Sequence, residues 1–228
     1  MDHDESSPGL SEVCEDLREA FSGRFGTILA DPPWRFSNRT GKMAPEHKRL
    51  SRYGTLTAKQ IAQLPVGRLA KDASHIYLWV PNALIAEGLH VLREWGFCYK
   101  TNIVWFKVRK DGGPDGRGVG FYFRNVTELV LFGVRGGLRT RDAGRRQTNI
   151  IVARKREHSR KPEQLYDIIE RCSPGPFLEL FARHRRDRWC QWGDELGDSS
   201  VRRAQQPKAF DGVQTAEPVP MQRVLFHV

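Results

Sequence analysis

No apolar run in the 228 residues approaches the roughly 20 that a membrane-spanning helix requires, which predicts no membrane partner. The opening MDHDESSPGL is acidic and has neither the basic start nor the apolar stretch of an export signal, so the expected location is cytoplasmic. Cysteine is scarce. Cys14, Cys98, Cys172 and Cys190 are scattered without CxxC spacing, which argues against a metal site or a disulfide framework and for reduced thiols, mostly in the core. No GxGxxG follows a strand pattern and no GxxxxGK(S/T) occurs, so the phosphate-cradling nucleotide folds lose support.

What is present is enough apolar residue for a sizeable core, 39% hydrophobic with 10% aromatic, and a strong positive charge. The net charge is +10, unevenly placed: the first twenty residues hold seven acids against Arg18, a local −6, which leaves +16 on the remainder. That surplus falls in three clusters: Arg135, Arg139, Arg141, Arg145 and Arg146; then Arg154, Lys155, Arg156, Arg160 and Lys161; then Arg183, Arg185, Arg186 and Arg188. Such clusters attract a polyphosphate backbone, although a solvated face would carry the same charges.

Strand and helix patterns alternate. FGTILA (25–30), HIYLWV (75–80), CYKTNIVWFKV (98–108), TELVLFGV (127–134), NIIVAR (149–154), FLELFA (177–182) and WCQW (189–192) read as strands. Thr57 caps a short helix through Leu64. Asn82 caps a second, with Ile85, Leu89, Leu92 and Trp95 on one face and Gly96 at its end. Pro162 opens a third, PEQLYDIIERC. The glycines and proline of KDGGPDGRG (110–118) preclude regular structure and suggest a mobile loop able to close over nucleic acid. This order predicts one α/β domain over residues 12–197, between an acidic tail at 1–11 and a polar, proline-containing tail at 198–228.

In an open α/β sheet, ligands sit outside the carboxyl ends of the strands. The stretch ADPPW (30–34) lies there, directly behind an apolar strand. Pro32 and Pro33 force the chain out of the sheet and fix its path, holding the Asp31 carboxylate, the Pro32 carbonyl and the Trp34 ring at one point. Two acceptors beside an aromatic face suit a planar base with an exocyclic amino group. The same tetrapeptide would also serve as a turn anchored by a core tryptophan.

ADPPW, RYGTLT (52–57), IYLWVPN (76–82), WGFCYKTNIVWFK (95–107), HSRKPEQLYDIIERCSPG (158–175), LELFAR (178–183) and WGDE (192–195) follow one another in an order that resembles the MT-A70 family. The resemblance spans roughly residues 12–197 and is strongest to compact bacterial and phage members, which are taken to methylate DNA. It implies a Rossmann-like methyltransferase fold, a mostly parallel sheet with helices on both faces, permuted so that the DPPW strand precedes the cofactor strand. It also implies transfer of a methyl group from S-adenosyl-L-methionine to adenine N6. DNA is the expected substrate, RNA the alternative, and a non-catalytic nucleic-acid-binding subunit a third reading. The chain could also be a homo-oligomer.

Carried over residue by residue, the resemblance gives the catalytic motif as Asp31, Pro32, Pro33 and Trp34. Lys161 would pair with the methionine carboxylate of the cofactor. Glu179 and Arg183 end the cofactor strand, and Asp194 and Glu195 would hold ribose hydroxyls, as carboxylates can. Asp31 is also placed near the cofactor amino group. Asp16, in CEDLRE, would lie near the cofactor adenine or be an ordinary acid. His184 is divided between ribose contact and surface. Tyr53 would lie near the target pocket, Trp79 and Trp105 in the core. Relatives often carry Asn at position 194 and Gly at 182, where this chain has Asp194 and Ala182. Arg145 and Arg146, with the loop 110–118, are expected to hang near the catalytic edge and grip phosphates beside an extruded adenine.

Overall fold

A computed structural model describes Cys14, Leu17, Phe21 and residues 24–36, 55–116, 122–155 and 160–193. Asp16, Tyr53, Asp194, Glu195 and both expected tails lie outside the described residues. The strands are β1 (Phe25–Ala30), β2 (Ala70–Val80), β3 (Cys98–Val108), β4 (Thr127–Arg135), β5 (Ile150–Arg154), β6 (Phe177–Leu180) and β7 (Trp189–Trp192). They form one seven-stranded sheet in the order β5-β3-β4-β2-β1-β6-β7. The helices described along their whole length are α1 (Ala58–Gln63), α2 (Val66–Leu69), α3 (Ile85–Glu94), α4 (Asp142–Arg146) and α5 (Gln164–Cys172).

Strands β1, β2, β6 and β7 are mutually parallel, as are β3 and β5, and only β4 runs against its neighbours. Six strands therefore deliver their carboxyl ends to one edge. β4 begins at that edge and ends at the other.

Alternation along the buried strands divides the core into two layers. Ile28, Ala30, Ile76, Leu78, Val80, Leu178 and Leu180 pack with Ile61, Val66, Leu69, Val91 and Leu92 of α1, α2 and α3. Leu29, Tyr77, Trp79, Val130, Phe132 and Phe177 pack with Leu165, Ile168 and Ile169 of α5. Helices thus cover both faces, and the expected Rossmann-like sheet with the DPPW strand first in sequence is the observed one.

Local differences have local causes. Thr57 caps α1 in a full capping box, its hydroxyl accepting from the Gln60 N–H while Gln60 Oε1 accepts from the Thr57 N–H at 2.9 Å. Asn82 does not cap α3. Its amide instead donates to the Thr127 carbonyl and hydroxyl at 3.2 and 3.0 Å, joining β2 to β4, and a single 3-10 turn over Asn82–Leu84 precedes the helix. The first half of the glycine-rich loop folds back on β3, with the Asp115 N–H donating to the Lys107 carbonyl at 2.9 Å and a bridge between Val108 and Pro114.

Candidate active site

β1 is buried along its whole length and stops where Pro32 and Pro33 remove the next ladder donors. Asp31 is thus the first residue beyond the sheet, its N–H donating to the Leu180 carbonyl of β6 at 3.4 Å. Its side chain keeps 25% of its surface and faces a cavity of ≈ 510 Å³ above the carboxyl ends of β1, β2 and β6. Leu29, Trp79, Lys161, Tyr166, Glu179 and Arg183 are among the lining residues.

Four charges meet there. Lys161 Nζ lies 3.3 Å from Asp31 Oδ1 and 3.0 Å from Glu128 Oε2, and 4.6 Å above the centroid of the Trp79 ring. Glu128 gives its other oxygen to Lys107 at 2.6 Å. Topology makes this possible: Glu128 is the second residue of antiparallel β4, so it stands at the edge where β3 ends, in register with Trp105 and two residues from Lys107 on that strand. Burial pushes the Asp31 carboxyl above its ordinary value, Lys161 and Arg183 opposing and Glu128 reinforcing the shift. Burial alone would raise Glu128 too, but Lys161 and Lys107 bring it down to about 2. Burial would lower Lys161, but Asp31 and Glu128 push it up to about 12. Lys161 is held in its charged form and Glu128 in its ionised form, so as the pH falls Asp31 takes up a proton before Glu128 does.

A second network lines the neighbouring wall. Glu179 is 9% exposed and accepts from the Tyr166 hydroxyl at 2.6 Å and from the Gln191 amide at 2.7 Å. Burial raises its carboxyl, partly opposed by those two donors. Arg186 stacks over the Tyr166 ring at 3.7 Å and pairs with Glu163. At the end of β6, Phe181 adopts φ 64°, a left-handed backbone that turns the chain into Ala182 and Arg183 at the cavity rim. Gly193 packs directly on that turn. A Cβ there would meet Ala182 N at 2.6 Å, so the glycine of WGDE is required by close approach rather than by φ.

The structure brings Asp31, Lys161, Glu179, Arg183 and the exposed His184 to one cavity. It treats three other expectations differently. Trp34 is 4% exposed, with its indole N–H donating to the Trp79 carbonyl at 2.9 Å, so its ring is packed in the α1–α3 layer and is not an open stacking face. The Pro32 carbonyl accepts from the Trp34 N–H at 2.9 Å, which leaves its second lone pair for a ligand; Pro33 accepts from Leu56 at 2.8 Å and serves the turn. Arg145 and Arg146 are exposed on α4, which follows antiparallel β4 and is tied to the opposite edge by the Arg141 N–H to Cys172 carbonyl bond of 2.8 Å. The sequence places them after a strand, but that strand runs the other way. Glu128, Lys107, Tyr166 and Gln191 were not singled out from sequence; the available signal was a lone acid opening the apolar run TELVLFGV.

The MT-A70 family model matches residues 25–195. The chain belongs to the MT-A70 family. It is 32% identical over 186 residues to a putative N(6)-adenosine-methyltransferase MT-A70-like protein of Medicago truncatula, covering 79% of this chain and 28% of that one. It is 31% identical over 191 residues to the human N(6)-adenosine-methyltransferase catalytic subunit METTL3, covering 81% and 31%. It is 27% identical over 197 residues to the type II methyltransferase M.MunI of a Mycoplasma species, covering 78% and 80%. This MT-A70 chain therefore spans about a third or less of the length of its METTL3-type relatives but most of M.MunI. Among the described residues no group of three or more His, Cys, Asp or Glu could hold a metal, and no helix is long and apolar enough to cross a membrane.

Proposed function

We propose that the chain transfers a methyl group from S-adenosyl-L-methionine to N6 of adenine in DNA. The observation that carries this reading is Asp31, held at the mouth of the cavity by Lys161 with Glu128 and Lys107 behind it. The cavity, at ≈ 510 Å³, falls within the roughly 300–1,000 Å³ of small-molecule sites. Its donor set suits an amino-acid-bearing, phosphate-free nucleoside: a lysine for a carboxylate, carboxylates for an ammonium and hydroxyls, and apolar Leu29 and Phe181 between. When bound, the cofactor supplies an electrophilic methyl group on a positively charged sulfur.

The chain's own residues do the rest. An adenine amine is a weak nucleophile because its lone pair is delocalised into the ring. Ionised Asp31 accepts one amine proton and the Pro32 carbonyl another, which localises the lone pair toward the methyl group. On accepting the methyl group the amine would acquire positive charge that Asp31 would stabilise, and one N–H proton would then leave to Asp31 or to solvent. Lys161 fixes the Asp31 carboxylate through its 3.3 Å contact, so alignment is present before the substrate arrives. Of the basic clusters, Arg154, Lys155, Arg160 and Lys161 of the second and the third at 183–188 emerge at the Asp31 edge, where they suit a phosphate backbone.

DNA is favoured by the similarity to M.MunI and by the resemblance to compact members of the family; the identity to METTL3-type proteins favours RNA. A non-catalytic subunit would have no need of the intact Asp31, Lys161 and Glu128 set. Methyl transfer from labelled cofactor to duplex DNA, single-stranded DNA and RNA of one sequence separates these readings: label in DNA supports the proposal, label confined to RNA shifts the substrate, and no cofactor binding by calorimetry overturns the activity.

A further inference from the structure

Among the described residues, Tyr122 and Phe123 are 94% and 85% exposed, while the next most exposed large hydrophobic residue, Val152, stands at 48%. Two adjacent rings left in water do nothing for the core. Their position is fixed by the antiparallel strand. Because β4 begins at the edge where Asp31 lies, the segment leading into it runs along that edge. It is tied down just behind the rings: the Lys107 N–H donates to the Val126 carbonyl at 2.8 Å, and the Asn82 amide holds Thr127. Phe123 is five residues before Glu128, so its backbone lies within about 18 Å of the backbone of the residue whose carboxylate holds Lys161. Arg124 follows the rings directly, and Lys110 stands at the other end of the same connection, next to Arg109, which pairs with Asp111 at 2.9 Å.

Exposed rings interleaved with cations suit unpaired bases, which stack on the rings while their phosphates meet the cations. Bases inside a duplex have both faces covered and cannot use such rings. We infer that Tyr122 and Phe123 form a stacking platform for unpaired bases beside the target adenine, so that the substrate strand is bound single-stranded or opened around the target. This rests on the proposed function and extends it to the form of the nucleic acid. The location at the catalytic edge and the flanking arginines favour nucleic acid over a protein partner.

The test compares wild type with the double variants Y122A/F123A, Y122L/F123L and Y122W/F123W. Fluorescence anisotropy measures affinity for a labelled adenine-containing oligodeoxynucleotide, single-stranded and annealed, with KM and kcat for methyl transfer and native mass alongside. The Ala and Leu pairs should each lose single-strand affinity by at least about 5-fold per ring, with the loss falling on KM rather than kcat. Duplex affinity should fall far less, and the Trp pair should bind at least as well as wild type. Unchanged single-strand affinity in the Ala pair overturns the platform, as does wild-type affinity in the Leu pair, which would indicate apolar contact without stacking. A change of native mass with nucleic-acid affinity intact also overturns it and assigns the rings to a protein interface. A wild-type chain that neither binds nor methylates any nucleic acid overturns the functional reading itself, a result distinct from the other three.

Discussion

Replacing Glu128 by Gln keeps the shape of the side chain and removes the charge that lies between two lysines. The wild-type carboxylate sits 2.6 Å from Lys107 and 3.0 Å from Lys161, and those lysine side chains retain only 12% and 20% of their exposure. Its depression from 4.5 to about 2 corresponds to about 3 kcal/mol of stability, at the lower end of the roughly 3–5 kcal/mol expected when one partner of a buried ion pair is removed. Because the folded value lies below the unfolded one, that stability is complete above about pH 4.5 and disappears as the pH falls toward 2. The variant should therefore unfold about 6–12 °C lower than wild type at pH 7, and the difference should narrow below about pH 4.5. Activity gives an independent sign. Glu128 raises the Asp31 carboxyl and competes with it for Lys161, so its loss should lower that carboxyl and move the acid limb of kcat/KM to lower pH. Thermal unfolding followed by circular dichroism, with pH–rate profiles, tests both. An unchanged Tm at pH 7, a difference constant down to pH 2, or an acid limb displaced upward would refute the reasoning.

Asp31→Ala should abolish methyl transfer without loss of fold, and in wild type the acid limb should lie above the ordinary carboxylate range because ionised Asp31 is lost as the pH falls through its raised value; pH–rate profiles check the second point. Lys161→Ala should weaken cofactor binding by roughly 1.5–3 kcal/mol in calorimetry and move the acid limb upward, opposite to Glu128→Gln, since Asp31 loses its nearest cation. Tyr166→Phe removes the hydroxyl that donates to Glu179 at 2.6 Å and should destabilise the fold by about 1–3 kcal/mol in denaturant unfolding. Replacing Arg145 and Arg146 by Ala should leave the dependence of log affinity on log salt unchanged, whereas replacing Arg154, the last residue of β5, and Lys155 directly after it at the Asp31 edge should flatten it by up to about 2 on duplex DNA.

The strand pattern was legible because buried strands are continuous apolar runs, and six of seven strands were readable to within two residues; β2 extends five residues before His75. Strand direction was not legible. Nothing in TELVLFGV distinguishes a parallel from an antiparallel strand, and that one direction moves Arg145 and Arg146 to the far edge while bringing Glu128 and Tyr122–Phe123 to the near one. DPPW reported the position of Asp31 through the chemistry of proline, but it could not show that Trp34 turns inward to meet the Trp79 carbonyl. Lys161 was visible as a cation before a helix. Its partners were not, because Asp31, just after β1, and Glu128, in β4, are 97 residues apart in sequence and only the sheet brings them to one ammonium.

The central claim is that Asp31 directs methyl transfer to an adenine amino group. Nucleoside mass spectrometry after incubation of the full chain with isotopically labelled S-adenosyl-L-methionine and adenine-containing DNA tests it most directly. The account predicts labelled N6-methyladenine with wild type and none with Asp31→Ala that still binds cofactor. Label on another base or position, or N6-methyladenine formed at the wild-type rate by Asp31→Ala, would contradict it.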